Sequence, residues 1–227
     1  MKIYKTLKPL ILGSGSPRRN DLLKSAGLEF EIHPATCDEP AAVPGLDPES
    51  YAIEMALLKA ENVAAAYPDR FIIGSDTIVV RDNDILGKPS SHEDAFITLK
   101  SLCGRKHKVI SGCAFISPDG IKTSYTVSTD VEFIDFNEGV IRAYAATGEP
   151  DDKAGAYAIQ GQGAFLVKSI NGSYTNVVGL PLSRVIETLV EMGVAAPPKA
   201  RSQGDKLNES NRPLTYHDRR HARLSRH

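Results

Sequence analysis

Only three cysteines, Cys37, Cys103 and Cys113, occur in the 227-residue chain, and no pair has C-x-x-C spacing. That pattern excludes a disulfide framework and a cysteine-built zinc site, and it predicts reduced, mostly buried thiols. No apolar run is long enough to span a membrane. No charged start, apolar stretch and small-residue cleavage site reads as a secretory signal, so the expected compartment is the cytoplasm. No internal repeat is present. No Ser-His-Asp or Cys-His pair stands out. The glycine-rich loop near the start lacks the Gly-Lys-Ser/Thr ending of a Walker A motif, and Arg18 stands where G-x-G-x-x-G needs its third glycine.

What is present is an ordinary globular composition, 41% apolar and 24% charged. The charge is uneven. Residues 197–227 hold eight Lys or Arg and three Asp or Glu, net +5, which leaves −6 for residues 1–196 out of a total of −1. Few apolar residues occur after Gly193, so 197–227 is read as a basic, disordered tail on a folded domain of residues 1–196. Its histidines His217 and His221 have i, i+4 spacing, a weak metal signal on such a segment.

Along the folded part, "KPLILG" (8–13) reads as a strand. "PRRNDLLKSA" (17–26) reads as a helix capped by Ser16, opened by Pro17 and closed by Gly27. "LEFEIHPA" alternates like a strand, and residues 48–68 have helical spacing. "RFIIGSDTIVVRDNDILGKP" reads as strand, small-residue break, strand and turn. Ser91 with Asp94 resembles a capping box before a helix. Residues 106–136 alternate around "PDG" as a hairpin. A short helix follows from Asn137 to Gly148, then a loop-rich stretch, then a last helix in "PLSRVIETLVEMG". This mixture predicts an α/β or α+β domain with a mixed sheet.

Four stretches could carry chemistry. "GSGSPRR" (13–19) places flexible backbone, a helix N-terminus and two guanidiniums together, which suits a phosphate; it fits equally a capped helix with two solvated arginines. Asp76 lies among Ile72, Ile73, Ile78 and Val79, where an unpaired carboxylate is costly. It is either a structural Asp bonded to a turn or a lysine, or a metal ligand or general base. Glu39 is either a surface acid or the second carboxylate of a magnesium site, since magnesium is held by one or two carboxylates plus phosphates and water. Lys59 and Lys88 are surface lysines or neutralise phosphate. Gln160, in a glycine-rich stretch, offers one donor and one acceptor to a pyrimidine edge, unless that stretch is a plain connector. Together these describe a nucleotide polyphosphate site.

The motifs "SGSPRR", "DE", "LLKAENV", "GSDTIVV", "LGKP", "TGEPDDKAGAYAIQG" and "NGSYTNVVGLPL" occur in this order. Over about residues 8–193 the chain resembles the Maf family of nucleoside triphosphate pyrophosphatases, and "DKAGAYAIQG" resembles its dTTP/UTP-cleaving branch. The resemblance implies an elongated α/β domain, similar to inosine triphosphatases, with a central mixed sheet and two lobes around a nucleotide cleft. It implies hydrolysis of a nucleoside triphosphate to monophosphate and pyrophosphate with Mg2+ or Mn2+. By resemblance Asp76 is the catalytic proton acceptor. Arg18, Thr77 and Gln160 set substrate preference. Ser14, Arg19, Glu39, Lys59 and Lys88 surround phosphates and metal, with Glu39 and Asp76 as the metal ligands. A homodimer is implied too. The family has also been associated with arrest of septum formation, so a non-catalytic nucleotide-binding regulator is the rival expectation. Nucleic acid would bind only through the basic tail. Ser75 and Ala158 stand where alanine and glycine are common, and the tail has no counterpart.

Overall fold

The computed structural model describes residues 3–43 and 45–198. The basic tail, apart from Pro197 and Pro198, and its histidines lie outside the described residues.

A seven-stranded mixed sheet organises the chain. Its strands are β2 (Leu10–Leu12), β3 (Glu31–Ile32), β4 (Phe71–Arg81), β5 (Asp84–Leu86), β6 (Lys106–Ile116), β7 (Lys122–Phe133) and β8 (Val167–Asn171). The order is β3-β2-β4-β6-β7-β8, with β5 paired to one end of β4. β3, β2 and β4 run parallel, and the remaining pairings are antiparallel. A separate two-stranded ribbon joins β1 (Lys5–Thr6) to β9 (Ala195–Ala196). The helices are α1 (Pro17–Ser25), α2 (Pro48–Ala66), α3 (His92–Leu102), α4 (Glu138–Ala145), α5 (Tyr174–Val178) and α6 (Leu182–Glu191).

The two sheet faces are used differently, and the strand period of two decides how. On one face Ile72, Gly74, Asp76, Ile78 and Val80 of β4 meet α2. Ala56 and Ala60 pack with Ile72 and Ala114, and Ala52 packs with Ile78, Val80 and Ile110. Helix and sheet approach so closely that a Cβ on Gly74 would stand 2.3 Å from the Ala56 carbonyl oxygen, and one on Gly112 2.0 Å from that of Ala52. This explains why the expected break at Gly74–Ser75 does not occur. The small residues keep β4 continuous for eleven residues and admit the helix.

The other face carries two cores. Phe71 and Ile73 join Leu12, Leu23, Phe115, Val185 and Leu189, while Val79 joins Phe96, Leu99, Val109, Phe133 and Ile141. Between them lie the polar positions Thr77 and Ser111, whose hydroxyls are 2.8 Å apart. Two lobes on one sheet, parted by a polar belt, agree with the expected architecture.

Three further expectations need adjusting. The strand read over residues 28–35 shrinks to Glu31–Ile32, both exposed on an edge. Ser16 is the N-cap of α1 but makes no side-chain cap bond. All three thiols are free, yet only Cys113 is fully buried; Cys37 and Cys103 are partly exposed. The "PDG" hairpin forms as expected, and Ser91 accepts from the Asp94 N–H.

Candidate functional site

β2 pairs with β4 only as far as Ile73, and β5 joins β4 only from Val79. Between these points that edge of β4 is open. The parallel strand β2 ends beside the gap, and its loop leads into α1. A crevice at the carboxyl end of a parallel strand, facing a helix N-terminus, is where an α/β sheet binds an anionic ligand. A cleft of about 720 Å³ lies there.

Its floor begins with Arg19. The part-buried guanidinium donates from Nε to the Gly179 carbonyl (2.9 Å), from Nη1 to Ser14 Oγ (3.0 Å) and from Nη2 to Thr77 Oγ1 (3.1 Å). Thr77 donates in turn to Gly179 O. Arg19 therefore latches the start of α1 to β4 and to the turn after α5. Burial pulls its proton affinity below the ordinary arginine value, and the negative charge of Asp76 opposes that pull. One donor on each of its three nitrogens is committed within the protein, whereas Arg18, also lining the cleft, makes no hydrogen bond of this kind among the described residues.

Opposite stand the acids. Lys59, between Ala56 and Ala60 on α2, places Nζ 2.7 Å from Asp76 Oδ1 and 2.7 Å from Glu39 Oε2. The sequence left open whether Asp76 has a lysine partner or a catalytic role; the lysine partner is present, and it lies in the cleft. Lys59 and Asp76 are mostly buried, with side-chain exposures of 11% and 15%, while Glu39 is 46% exposed. The Glu39 loop is tied to α2 by Tyr51, whose hydroxyl donates to Pro40 O (3.0 Å), and by Asn62, which accepts from the Thr36 N–H (2.9 Å). Burial, together with the charges of Asp76 and Glu39, raises the Tyr51 phenol above its ordinary value.

Beyond Thr77 the lining turns apolar: Val79, Ile85, Leu86, Val109, Tyr157 and Val177. Tyr157 is fixed by His107, whose Nε2 lies 2.8 Å from the phenol oxygen. Lys88 lies on the rim and is exposed. Of the residues expected at the site, Ser14, Arg18, Arg19, Glu39, Lys59, Asp76, Thr77 and Lys88 all line the cleft. Gln160 does not; it is exposed and precedes the 3-10 turn Gly161–Leu166. The neighbouring loop is held by Glu149, which accepts from the N–H groups of Gln162 and Gly163 and from the Tyr144 hydroxyl. Burial alone would raise the Glu149 carboxyl, but these donors outweigh it and hold it below its usual range. Sequence reasoning missed Tyr51, Asp152, Lys153 and Tyr157, which line the cleft as well. The dense "DDKAGAY" run was the only signal for the last three, and Tyr51 read simply as part of a helix face.

The family model for Maf-like protein matches residues 9–192. The chain belongs to the Maf family. It is 46% identical over 190 residues to the dTTP/UTP pyrophosphatase of Nitratidesulfovibrio vulgaris, covering 84% of this chain and 90% of that one. It is 48% identical over 186 residues to the dTTP/UTP pyrophosphatase of Geotalea uraniireducens, covering 81% and 95%. It is also 46% identical over 187 residues to that of a Geobacillus species, covering 82% and 100%.

Nucleotide pyrophosphatases of this family are generally metal-dependent. Among the described residues no group of three or more His, Cys, Asp or Glu converges. Two carboxylates do converge, since Asp76 and Glu39 contact the same ammonium. That donor set fits a hard divalent ion that takes its remaining oxygens from phosphate and water. Among the described residues no helix is long and apolar enough to cross a membrane.

Proposed function

We propose that this chain hydrolyses dTTP and UTP to the monophosphate and pyrophosphate. The reading is carried by Asp76, a carboxylate on the open edge of β4 in the cleft edged by the Arg18 loop. The chain's identity to relatives named for this activity supports it. Arg18, Lys88 and the start of α1 bind the triphosphate. The apolar end around Val79, Leu86 and Tyr157 takes the base, with Gln160 closing on it from outside the cleft.

Glu39 and Asp76 are the residues that would hold Mg2+ or Mn2+. Such an ion, when bound, would offset charge on the phosphate oxygens. Asp76 orients a water toward the α-phosphorus and accepts its proton. The new P–O bond forms as the bond to the β-phosphate oxygen breaks, and pyrophosphate leaves. An apolar pocket distinguishes a methyl group by only about 1–3 kcal/mol, so thymine and uracil nucleotides are both accepted, as are modified relatives. The role that follows is removal of non-standard pyrimidine triphosphates in the cytoplasm. The working form is a homodimer, and the 197–227 tail is an accessory.

The test is pyrophosphate release from a panel of nucleoside triphosphates with Mg2+ or Mn2+, wild type beside Asp76→Asn. Release from dTTP and UTP falling about 10²–10⁴-fold in the variant is expected. Near-normal turnover by a folded Asp76→Asn protein would refute the assignment. Nucleotide binding without turnover in the wild type would transfer the protein to the regulator reading.

A further inference from the structure

Lys59 occupies the point on which the two acids converge. Its Nζ lies 2.7 Å from an oxygen of each, and it is slightly more buried than Asp76. Magnesium binds oxygen at about 2.0–2.1 Å, so an ammonium and a divalent ion cannot share that point. For an ion to take the same two oxygens, Asp76 Oδ1 and Glu39 Oε2, Lys59 has to leave. Once withdrawn, a mostly buried ammonium needs another anion, because an unpaired buried charge is strongly unfavourable. Within the described cleft the other carboxylate, Asp152, is already paired with Lys153.

A nucleotide polyphosphate would supply the missing partner. Its oxygens would enter beside Arg18 and the start of α1, within the same cleft. Accepting Lys59, they would release the two carboxylates together.

We infer that Lys59 is a built-in competitor for the metal: in the nucleotide-free protein it keeps Glu39 and Asp76 paired to itself, and the divalent ion binds tightly only with the nucleotide that draws Lys59 away. This rests on the reading of Glu39 and Asp76 as the metal-holding pair. Lys59 is thus a positioning residue as well as a phosphate ligand. It makes metal and nucleotide binding mutually reinforcing, and coupling of this kind commonly amounts to about 5–150-fold. The arrangement also keeps the free enzyme from carrying an ion on two bare carboxylates.

The experiment is Mn2+ binding to the nucleotide-free protein, read by electron paramagnetic resonance of the unbound ion, for wild type, Lys59→Met and Lys59→Gln. Circular dichroism verifies folding, and Lys59→Gln, which keeps N–H donors for both acids, serves where the methionine variant is unstable. The expected result is Mn2+ affinity at least about tenfold above wild type when the ammonium is removed, even as turnover is lost. A merely structural lysine would not produce tighter metal binding on its removal. Adding Glu39→Gln to the variant should abolish the gain. A smaller gain, no gain, or a gain that survives Glu39→Gln would overturn the inference. Turnover is read separately: a wild type that releases no pyrophosphate from dTTP or UTP removes the substrate reading and leaves the competition at this site standing.

Discussion

Gly74 sets the distance between α2 and β4, and with it the reach of Lys59 to Asp76. In Gly74→Ala the new Cβ would lie 2.3 Å from Ala56 O and 2.8 Å from both the Ala60 Cβ and its backbone nitrogen. Most of those atoms belong to backbone, so no side-chain rotation relieves the clash. Restoring an acceptable contact requires α2 to move by about 1 Å, and overpacking of this kind costs about 2 kcal/mol. For a domain of this size that lowers Tm by roughly 4–8 °C. Lys59 lies between Ala56 and Ala60 in sequence on that helix, so its 2.7 Å contacts to Asp76 and Glu39 move with it. A displacement of about 1 Å at a catalytic constellation is worth about 10²-fold in rate. Thermal unfolding and pyrophosphate release from dTTP measure the two effects. Gly139→Ala, where the nearest neighbour is the side-chain oxygen of Asn137 at 3.3 Å, is the control and should lose neither. Unchanged Tm and kcat/KM in Gly74→Ala would refute the claim that the glycine places the lysine.

Two further outcomes are expected. Arg19→Met removes three hydrogen bonds that join α1, β4 and the Gly179 turn. It should cost about 3 kcal/mol and lower Tm by roughly 6–12 °C, read by calorimetry; a shift below 2 °C would show that the latch is dispensable. His107 is 3% exposed, and burial lowers its pKa from 6.5 to about 4. Between those values the unfolded chain binds a proton that the folded chain does not, so stability rises with pH across that window, by up to about 3 kcal/mol. His107→Gln, which can still reach the Tyr157 hydroxyl, should flatten the Tm profile between pH 4 and 6.5. An unchanged profile would exclude His107 as its source.

The sequence by itself determined the elements that rest on local chemistry. Pro17, with Gly27 at φ 87°, bounded α1, and the Ser91 cap opened α3. The alternation around "PDG" was enough for the β6–β7 hairpin, because adjacent strands need only a turn to meet. It also named eight residues that line the cleft: Arg18, Arg19, Glu39, Lys59, Asp76 and Lys88 because their residue types suit phosphate and metal whatever the fold, and Ser14 and Thr77 through the family resemblance.

Only the tertiary structure decided how those residues share one place. The Gly74–Ser75 pair looked like a break because local propensity disfavours small residues in strands, whereas the closeness of α2 requires them there. The open edge of β4 arises from where two other strands stop, which is a property of pairing and not of any one segment. Lys59 and Glu39 are twenty residues apart in sequence, and nothing in their spacing says that one ammonium joins both carboxylates. Arg19 and Arg18 are adjacent and chemically alike. A hydrogen bond to Gly179, 160 residues away, commits the first to the scaffold, while the second lines the cleft with no hydrogen bond among the described residues. Local propensity reads neighbours along the chain; the work of each charge is set by neighbours in space.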